Sequence, residues 1–392
     1  MLWVLAGIQF THIVDFMVLM PLGPQIMRLF GVTPTQFGLL VSAYTFGAAA
    51  SAFLAALYVD RFGRKRALLA IYSGFTVATA LCAIAPGFWT LLAARVVSGI
   101  FGGIAGAMVH AIIGDLVPDS RRGAATGVIA TGFPLAAVAG VPLGLLIGSH
   151  VGWHATFGAL TLGAVLLWVA VWRWLPALDH HVATARATRS ARHHLQEVFA
   201  SRSHRRALVL IGTLMFAGLS VIPFLSPYMV RNVGLQETDL PLIYLAGGAA
   251  TLFTARWIGR LADRHGKVRV FRGVALLSMV PLFVSTHLPP LPVPIVMAAS
   301  TVFMVLVSGR FIPAMALVNS AAEPRLRGAF LAVSSGIQSL CSGLASVAAG
   351  TVLGHDAAGR LTNYGIVGTG AVCATALCIY LAGRITPARG GT

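Results

Sequence analysis

The sequence predicts an all-α membrane protein: twelve transmembrane helices in two pseudo-symmetric six-helix bundles, with the N- and C-termini cytoplasmic. Three observations predict it. The first is composition: of 392 residues, 57% are hydrophobic and only 10% are charged, whereas a soluble globular chain carries roughly 25% charged residues. The second is that apolar runs of about 20 to 25 residues, each long enough to cross a bilayer, recur along the whole length. The third is that two charged motifs occur twice in the same order, once in each half of the chain.

The first span is expected at about 2–29 and holds Asp15 near its middle; Gly31-Val32-Thr33-Pro34 then turns the chain. The second, about 36–59, ends at Asp60, before a basic loop of Arg61, Arg64, Lys65 and Arg66. Spans three and four, about 67–86 and 88–113, are divided by Pro86-Gly87. A polar loop with Asp115, Pro118, Asp119, Ser120, Arg121 and Arg122 leads to spans five and six, about 124–148 and 153–175. The polar stretch of about 176–205, with Arg186, Arg189, Arg192, His193, His194, Arg202 and Arg205, reads as a cytoplasmic linker. A short amphipathic helix is expected within it around Ala191–Ala200.

Spans seven and eight, about 207–230 and 239–259, precede a loop with Arg260, Arg264, Lys267 and Arg269. Spans nine and ten, about 271–288 and 293–317, are divided by Pro289-Pro290. Spans eleven and twelve are expected at about 329–352 and 363–383. The expected bundles are residues 1–175 and 206–392, joined by the linker 176–205.

A net charge of +17 invites a nucleic-acid reading. The positions of the charges exclude it, because the basic residues concentrate in the loops after spans 2, 4, 6, 8 and 10 and in the tail. The opposite loops hold only Arg28, Arg231 and Arg360. That asymmetry is the positive-inside pattern and places both termini in the cytoplasm. No cleavable signal peptide is expected, since the chain is apolar from Leu2 past the length of an h-region, without a small-residue cleavage site. Cys82, Cys341, Cys373 and Cys378 lie in apolar segments without metal-type spacing and read as small buried hydrophobes.

Asp60-Arg61-Phe62-Gly63-Arg64-Lys65 after span two matches Asp263-Arg264-His265-Gly266-Lys267 after span eight. Pro118-Asp119-Ser120-Arg121-Arg122-Gly123 before span five matches Pro324-Arg325-Leu326-Arg327-Gly328 before span eleven. Internal repeats of this kind mark secondary transporters, whose substrate site lies near the midplane between the repeats.

The loop G-x-x-x-D-R-x-G-[RK]-[RK] resembles the signature of the major facilitator superfamily, with Ala56 in place of the first glycine in the first half. Arg95-Val96-Val97-Ser98-Gly99 resembles the R-x-x-x-G motif of proton-coupled members. Gly140-Val141-Pro142-Leu143-Gly144 is similar to an exporter signature, and Gly152-Trp153-His154-Ala155-Thr156-Phe157 to the entry of span six. Together they resemble the twelve-span drug:proton antiporter branch, which also holds sugar exporters. The resemblance implies that Asp60, Arg61 and Arg64 form a cytoplasmic latch with Asp115 as charge partner, and that Asp263 and Arg264 are its second-half counterpart. It further implies a bacterial plasma (inner) membrane location, a small-molecule substrate, protons as coupling ion and no cofactor or metal. A monomer is expected.

Asp15 is the one acid of eleven placed in mid-membrane, where a carboxylate costs several kcal/mol and is a functional candidate by default. A cavity that alternates between wet and closed suits a carboxyl that binds and releases a proton. His12 and Gln9 lie on its helix face at i, i+3 spacing and suit a proton relay or a substrate contact. Arg95 and Arg310 are intramembrane cations that stay charged and need partners. The resemblance puts spans one, four, seven and ten around the central cavity. Gln9, Asp15, His110, Arg310 and Asn319 are therefore the candidate cavity residues, and Asp15, His12 and Arg95 the candidate proton-coupling residues. Arg310 is favoured over Arg95 as the partner of Asp15, with direct binding of an anionic substrate group and a purely structural role as its alternatives.

The leading expectation is proton-coupled export of a small organic compound. A symporter or facilitator for a sugar or organic anion is the second reading, and a lipid flippase or sensor the third. No nucleophile elbow, zinc-protease motif or phosphate loop supports an enzyme or an ATP-driven pump.

Overall fold

The computed structural model describes residues 1–58, 63–176 and 191–385. Helix α1 (Leu2–Val18) is followed by α2 (Gly23–Phe30), α3 (Pro34–Tyr58), α4 (Arg64–Ala83) and α5 (Phe88–Leu116). Then come α6 (Asp119–Ala130), α7 (Gly132–Leu135), a π-helical segment (Ala136–Gly140), α8 (Val141–His150) and α9 (Trp153–Trp174). The second half opens with α10 (Ala191–Ala200), α11 (Arg202–Leu219), α12 (Ile222–Tyr228) and a π-helical segment (Met229–Val233). It continues with α13 (Leu240–His265), α14 (Lys267–Ser285), α15 (Val293–Gly309), α16 (Phe311–Ala321) and α17 (Arg327–Val352). A two-stranded hairpin, β1 (Gly354–His355) against β2 (Leu361–Thr362), precedes α18 (Tyr364–Ala382).

Among the described residues, nine helical stretches are long and apolar enough to cross a bilayer, or ten if the bent pair of α1 and α2 counts as one. Helices α3 and α13, with 25 and 26 residues, also have the length of a span, about 20 residues. The last turns of α13 carry Arg256, Arg260, Asp263 and Arg264, which lower its hydropathy.

The expected first span is not one straight helix. It bends by 53° between α1 and α2, because Pro21 and Pro24 remove two backbone donors from the ladder and Pro24 opens the second helix. Related breaks interrupt 202–233, where Pro223 opens α12, and 293–321, where Arg310 separates α15 from α16. Ahead of Pro142 the helix widens into the π segment Ala136–Gly140. Helix α11 starts at Arg202 rather than at Ala207, with Ser201 accepting from the His204 amide at 3.5 Å. Helix α10 spans the stretch expected to be helical in the linker. It is docked on the second half through buried Val198 and a 2.7 Å ion pair from Arg325 to Glu197.

The apolar cores differ at the two ends of the molecule. At the end that carries the loops after α2, α4, α8 and α17, one cluster joins both halves. Leu19, Phe37 and Leu91 share it with Phe224, Leu240 and Tyr364. At the end that carries the chain termini, the cores are separate: Leu5, Leu68 and Ile112 in the first half, Ile211, Phe271 and Phe330 in the second. Helix α3 packs on α17, and α13 on α8 and its π segment. The joined end is further tied by a two-point ion pair between Arg28 and Glu237. Thr35 also donates to the Gly350 carbonyl at 2.9 Å. A Cβ on Gly350 would stand 3.0 Å from the Thr35 Cα, so that approach needs glycine.

Candidate functional site

Asp15 is carried by α1 into the first-half core, where it is 0% exposed. Its partner is Arg95, near the start of α5 and also 0% exposed. Arg95 Nη1 donates to Asp15 Oδ2 at 2.6 Å and to the Asp15 carbonyl at 3.1 Å. Thr79 of α4 donates to the other carboxylate oxygen at 3.5 Å. The guanidinium lies over the Tyr44 ring, 4.6 Å from its centroid, and 5.9 Å from that of Phe157. Such a cation–π contact stabilises a desolvated cation. Tyr44 in turn donates to the His12 carbonyl at 3.2 Å, which ties the pair to the preceding turn of α1.

The Arg95-x-x-x-Gly99 spacing now has a packing reason. A Cβ on Gly99 would collide with the backbone of Tyr44, and one on Gly102 with the Tyr44 hydroxyl. These glycines let α5 close on α3 and slide the aromatic ring under the guanidinium. Small residues at membrane helix contacts work in this way.

This geometry corrects the expected pairing. Arg310 does not face Asp15. It caps α15 inside the second half, 1% exposed. Its Nη1 donates to Thr375 Oγ1 on α18 at 2.7 Å and to Ser278 Oγ on α14 at 3.3 Å. Arg95 wins because α1 and α5 pack directly within one half, whereas the break at Arg310 turns its side chain toward α14 and α18.

Gln9 and His12 lie together on the other side of the site, above Gly106. A Cβ there would be 3.2 Å from His12 Nε2 and 3.7 Å from Gln9 Oε1. Both atoms are buried without a hydrogen-bond partner, as is Asn319 Oδ1 on α16. Two amide oxygens and one imidazole nitrogen are thus unsatisfied, a state that polar interiors rarely tolerate without a ligand or water. His110 is exposed, one turn beyond Gly106 on α5.

At the end bearing the termini, Arg64 Nε donates to Asp115 Oδ2 at 2.7 Å, with Arg64 only 6% exposed. That links α4 to the end of α5 within the first half. Asp60 and Arg61 lie outside the described residues. Asp263 and Arg264 are exposed at the end of α13, and among the described residues neither forms an ion pair. Among the described residues no group of three His, Cys, Asp or Glu side chains is placed to hold a metal ion.

Tyr44, Thr79 and the Arg28–Glu237 pair were not singled out by the sequence. Tyr44 and Thr79 are uncharged, and their only signal was polarity near the middle of a span.

Comparison with known proteins gives three kinds of likeness. The family model described as Major Facilitator Superfamily matches residues 5–350. A chloramphenicol resistance protein of Streptomyces lividans is 32% identical over 244 residues, which span 62% of this chain and 61% of that relative. The uncharacterized MFS-type transporter YceJ of Bacillus subtilis (strain 168) is 25% identical over 362 residues, covering 92% of this chain and 88% of the relative. A solved bacterial homologue of the human lysosomal transporter Spinster, inward-facing and occupied, superposes with a TM-score of 0.74 at 18% identity. It covers 98% of this chain and 93% of its own, a likeness of fold.

Proposed function

The chain belongs to the major facilitator superfamily of membrane transporters, and from that premise we propose that it is a proton-coupled exporter of a small organic compound. The observation that carries the reading is the fully buried Asp15–Arg95 pair. A carboxylate out of water is tolerable while the guanidinium is bonded to it. A proton arriving at Asp15 cancels its charge and releases Arg95 to the Tyr44 ring and the Asp15 carbonyl. The proton thus decides whether Arg95 is held by the carboxylate or only by the ring and the carbonyl.

Twelve spans in two bundles, residues 1–175 and 206–392, with both termini in the cytoplasm, fit the basic loops and the repeat. The joined core then lies outside and the separated cores inside, an inward-facing arrangement. Rocking would part the joined end and close the other, carrying substrate past Gln9, His12, His110 and Asn319. The Arg64–Asp115 contact, with Asp60, Arg61, Asp263 and Arg264, would latch the cytoplasmic end. Location in a bacterial inner membrane is supported by the bacterial relatives, and a single copy suffices for this cycle.

Export of a drug-like compound is supported by the chloramphenicol resistance relative and the exporter-like segment around Pro142. Chloramphenicol is therefore the first substrate to test. The decisive experiment is flux in proteoliposomes under an imposed pH jump, comparing wild type with Asp15→Asn. Loss of proton-driven flux in a folded Asp15→Asn protein is expected, and undiminished flux sinks the proton-site assignment.

One observation favours a second reading, a symporter or facilitator for a hydroxylated compound. The unsatisfied Gln9, His12 and Asn319 atoms would accept from the several hydroxyl donors of a polyhydroxylated compound. The direction of flux under the same pH jump separates the two.

A further inference from the structure

A second polar cavity, of about 260 Å³, lies at the joined end of the molecule between the two halves. Met27 and Val32 of the first half face Pro227 and Leu361 of the second across it. Two guanidiniums, Arg28 and Arg231, line it as well. We propose that this cavity binds a small organic anion, a carboxylate on a compact apolar body, and that the anion holds the halves together at this end. The second part rests on the two-state transport reading.

The charge argument is specific. Arg28 is already engaged at both terminal nitrogens by Glu237. Arg231 forms no hydrogen bond or ion pair with any described residue. Asp356 on the neighbouring hairpin holds the amides of Ala358 and Arg360 on its Oδ1, at 2.9 and 2.8 Å, and forms no ion pair with Arg231. Arg231 is therefore a solvent-exposed cation at the cavity wall with no carboxylate bonded to it, free to make a charge-assisted, two-point contact with a ligand carboxylate.

The roof is built rather than loose. The hairpin between α17 and α18 is pinned by Asn232, the residue after Arg231. Asn232 donates to the Leu361 carbonyl and accepts from the Leu361 amide, both at 2.9 Å. Gly359, at φ +74°, lies close against the guanidinium, and a Cβ there would stand 3.0 Å from Arg231 Nη1. The volume is just under that of typical ligand pockets, about 300 to 1,000 Å³, which suits a compact anion.

Because the two walls belong to different halves, parting the joined end divides the site. A ligand that binds only the joined state stabilises that state by mass action. On the proposed topology this face is external, so the anion acts from outside the cell.

The test uses the purified full-length protein with benzoate as probe and uncharged benzamide as control, read by melting temperature and by amide hydrogen exchange. Benzoate is expected to raise the melting temperature and to slow exchange in Gly23–Phe30 and Ile222–Tyr228, and benzamide to do neither. Arg231→Gln is expected to weaken benzoate at least about tenfold, the effect of losing one charged hydrogen-bonding group, and Arg231→Lys to weaken it less. Benzoate binding by Arg231→Gln at wild-type strength overturns the site. Equal binding of benzamide overturns the anion chemistry, and binding without slowed exchange overturns the hold on the joined state. If benzoate behaves as expected but wild-type protein carries no proton-driven flux, the transport reading falls and the site stands.

Discussion

At the scale of single residues, the site is a carboxylate and a guanidinium that share one dry environment and cannot be separated cheaply. Arg95→Gln leaves Asp15 buried without its cation, and removal of one partner of a buried pair costs about 3–5 kcal/mol. A large fall in melting temperature in detergent is expected, and the double variant Asp15→Asn/Arg95→Gln should regain much of it. A double variant no more stable than Arg95→Gln would mean that the pair is not the source of the cost. Tyr44→Phe keeps the ring under Arg95 and loses the hydroxyl's contacts to the His12 carbonyl at 3.2 Å and to His12 Nδ1 at 3.5 Å, a net effect of about 1 kcal/mol. Its thermal shift should therefore be small beside that of Arg95→Gln. Gln9 Oε1, His12 Nε2 and Asn319 Oδ1 are of a different kind, buried polar atoms with no protein partner among the described residues. Alanine at these positions should weaken substrate binding while sparing the fold.

At the scale of elements, glycines decide which helices can meet. Gly99 and Gly102 let α5 reach Tyr44 on α3. Gly99→Leu would push the two helices apart, with overpacking costing typically about 1–3 kcal/mol, and would lift the ring from Arg95. Both stability and proton-driven flux should fall, more than in Tyr44→Phe. A neutral Gly99→Leu would show that α3 and α5 do not need this approach. The broken helices follow from backbone chemistry. Pro21, Pro24 and Pro223 lack the donor that a continuous helix requires, and each break falls where α2 or α12 reaches the joined end. The elements that bend are thus the ones that would move when that end parts.

At the scale of the whole molecule, the halves share one core at one end and keep separate cores at the other, which the proposed transport cycle takes as one of its two states. Gly350→Val places a side chain where Thr35 and Pro34 now press against the backbone. The variant is expected to shift the population away from the joined state. Reagent labelling of a cysteine introduced at Thr35 should then rise in the variant relative to the parent protein. Unchanged labelling would show that contact between α3 and α17 at this point does not control the opening.

The apolar helices, the membrane setting, the repeat and the costly placement of Asp15 in an apolar helix were legible in the sequence, because each is local. Hydrophobic length, proline chemistry and a lone acid in a greasy run need no knowledge of what lies across the fold. Helix α10 was legible for the same reason. The partner of Asp15 was not. Asp15 and Arg95 are 80 residues apart, and whether they meet depends on the level and rotation at which α1 and α5 pack. Sequence position favours Arg310 over Arg95, but the break before α16 turns Arg310 toward Thr375 and Ser278. The joined end, held in part by a contact between residues 315 apart, and the anion cavity beneath the hairpin also arise only when the halves pack. The sequence by itself determined what is apolar, what bends and which acid is costly. The tertiary structure decided which charges meet and which end is closed, because those depend on distances between helices that no local pattern encodes.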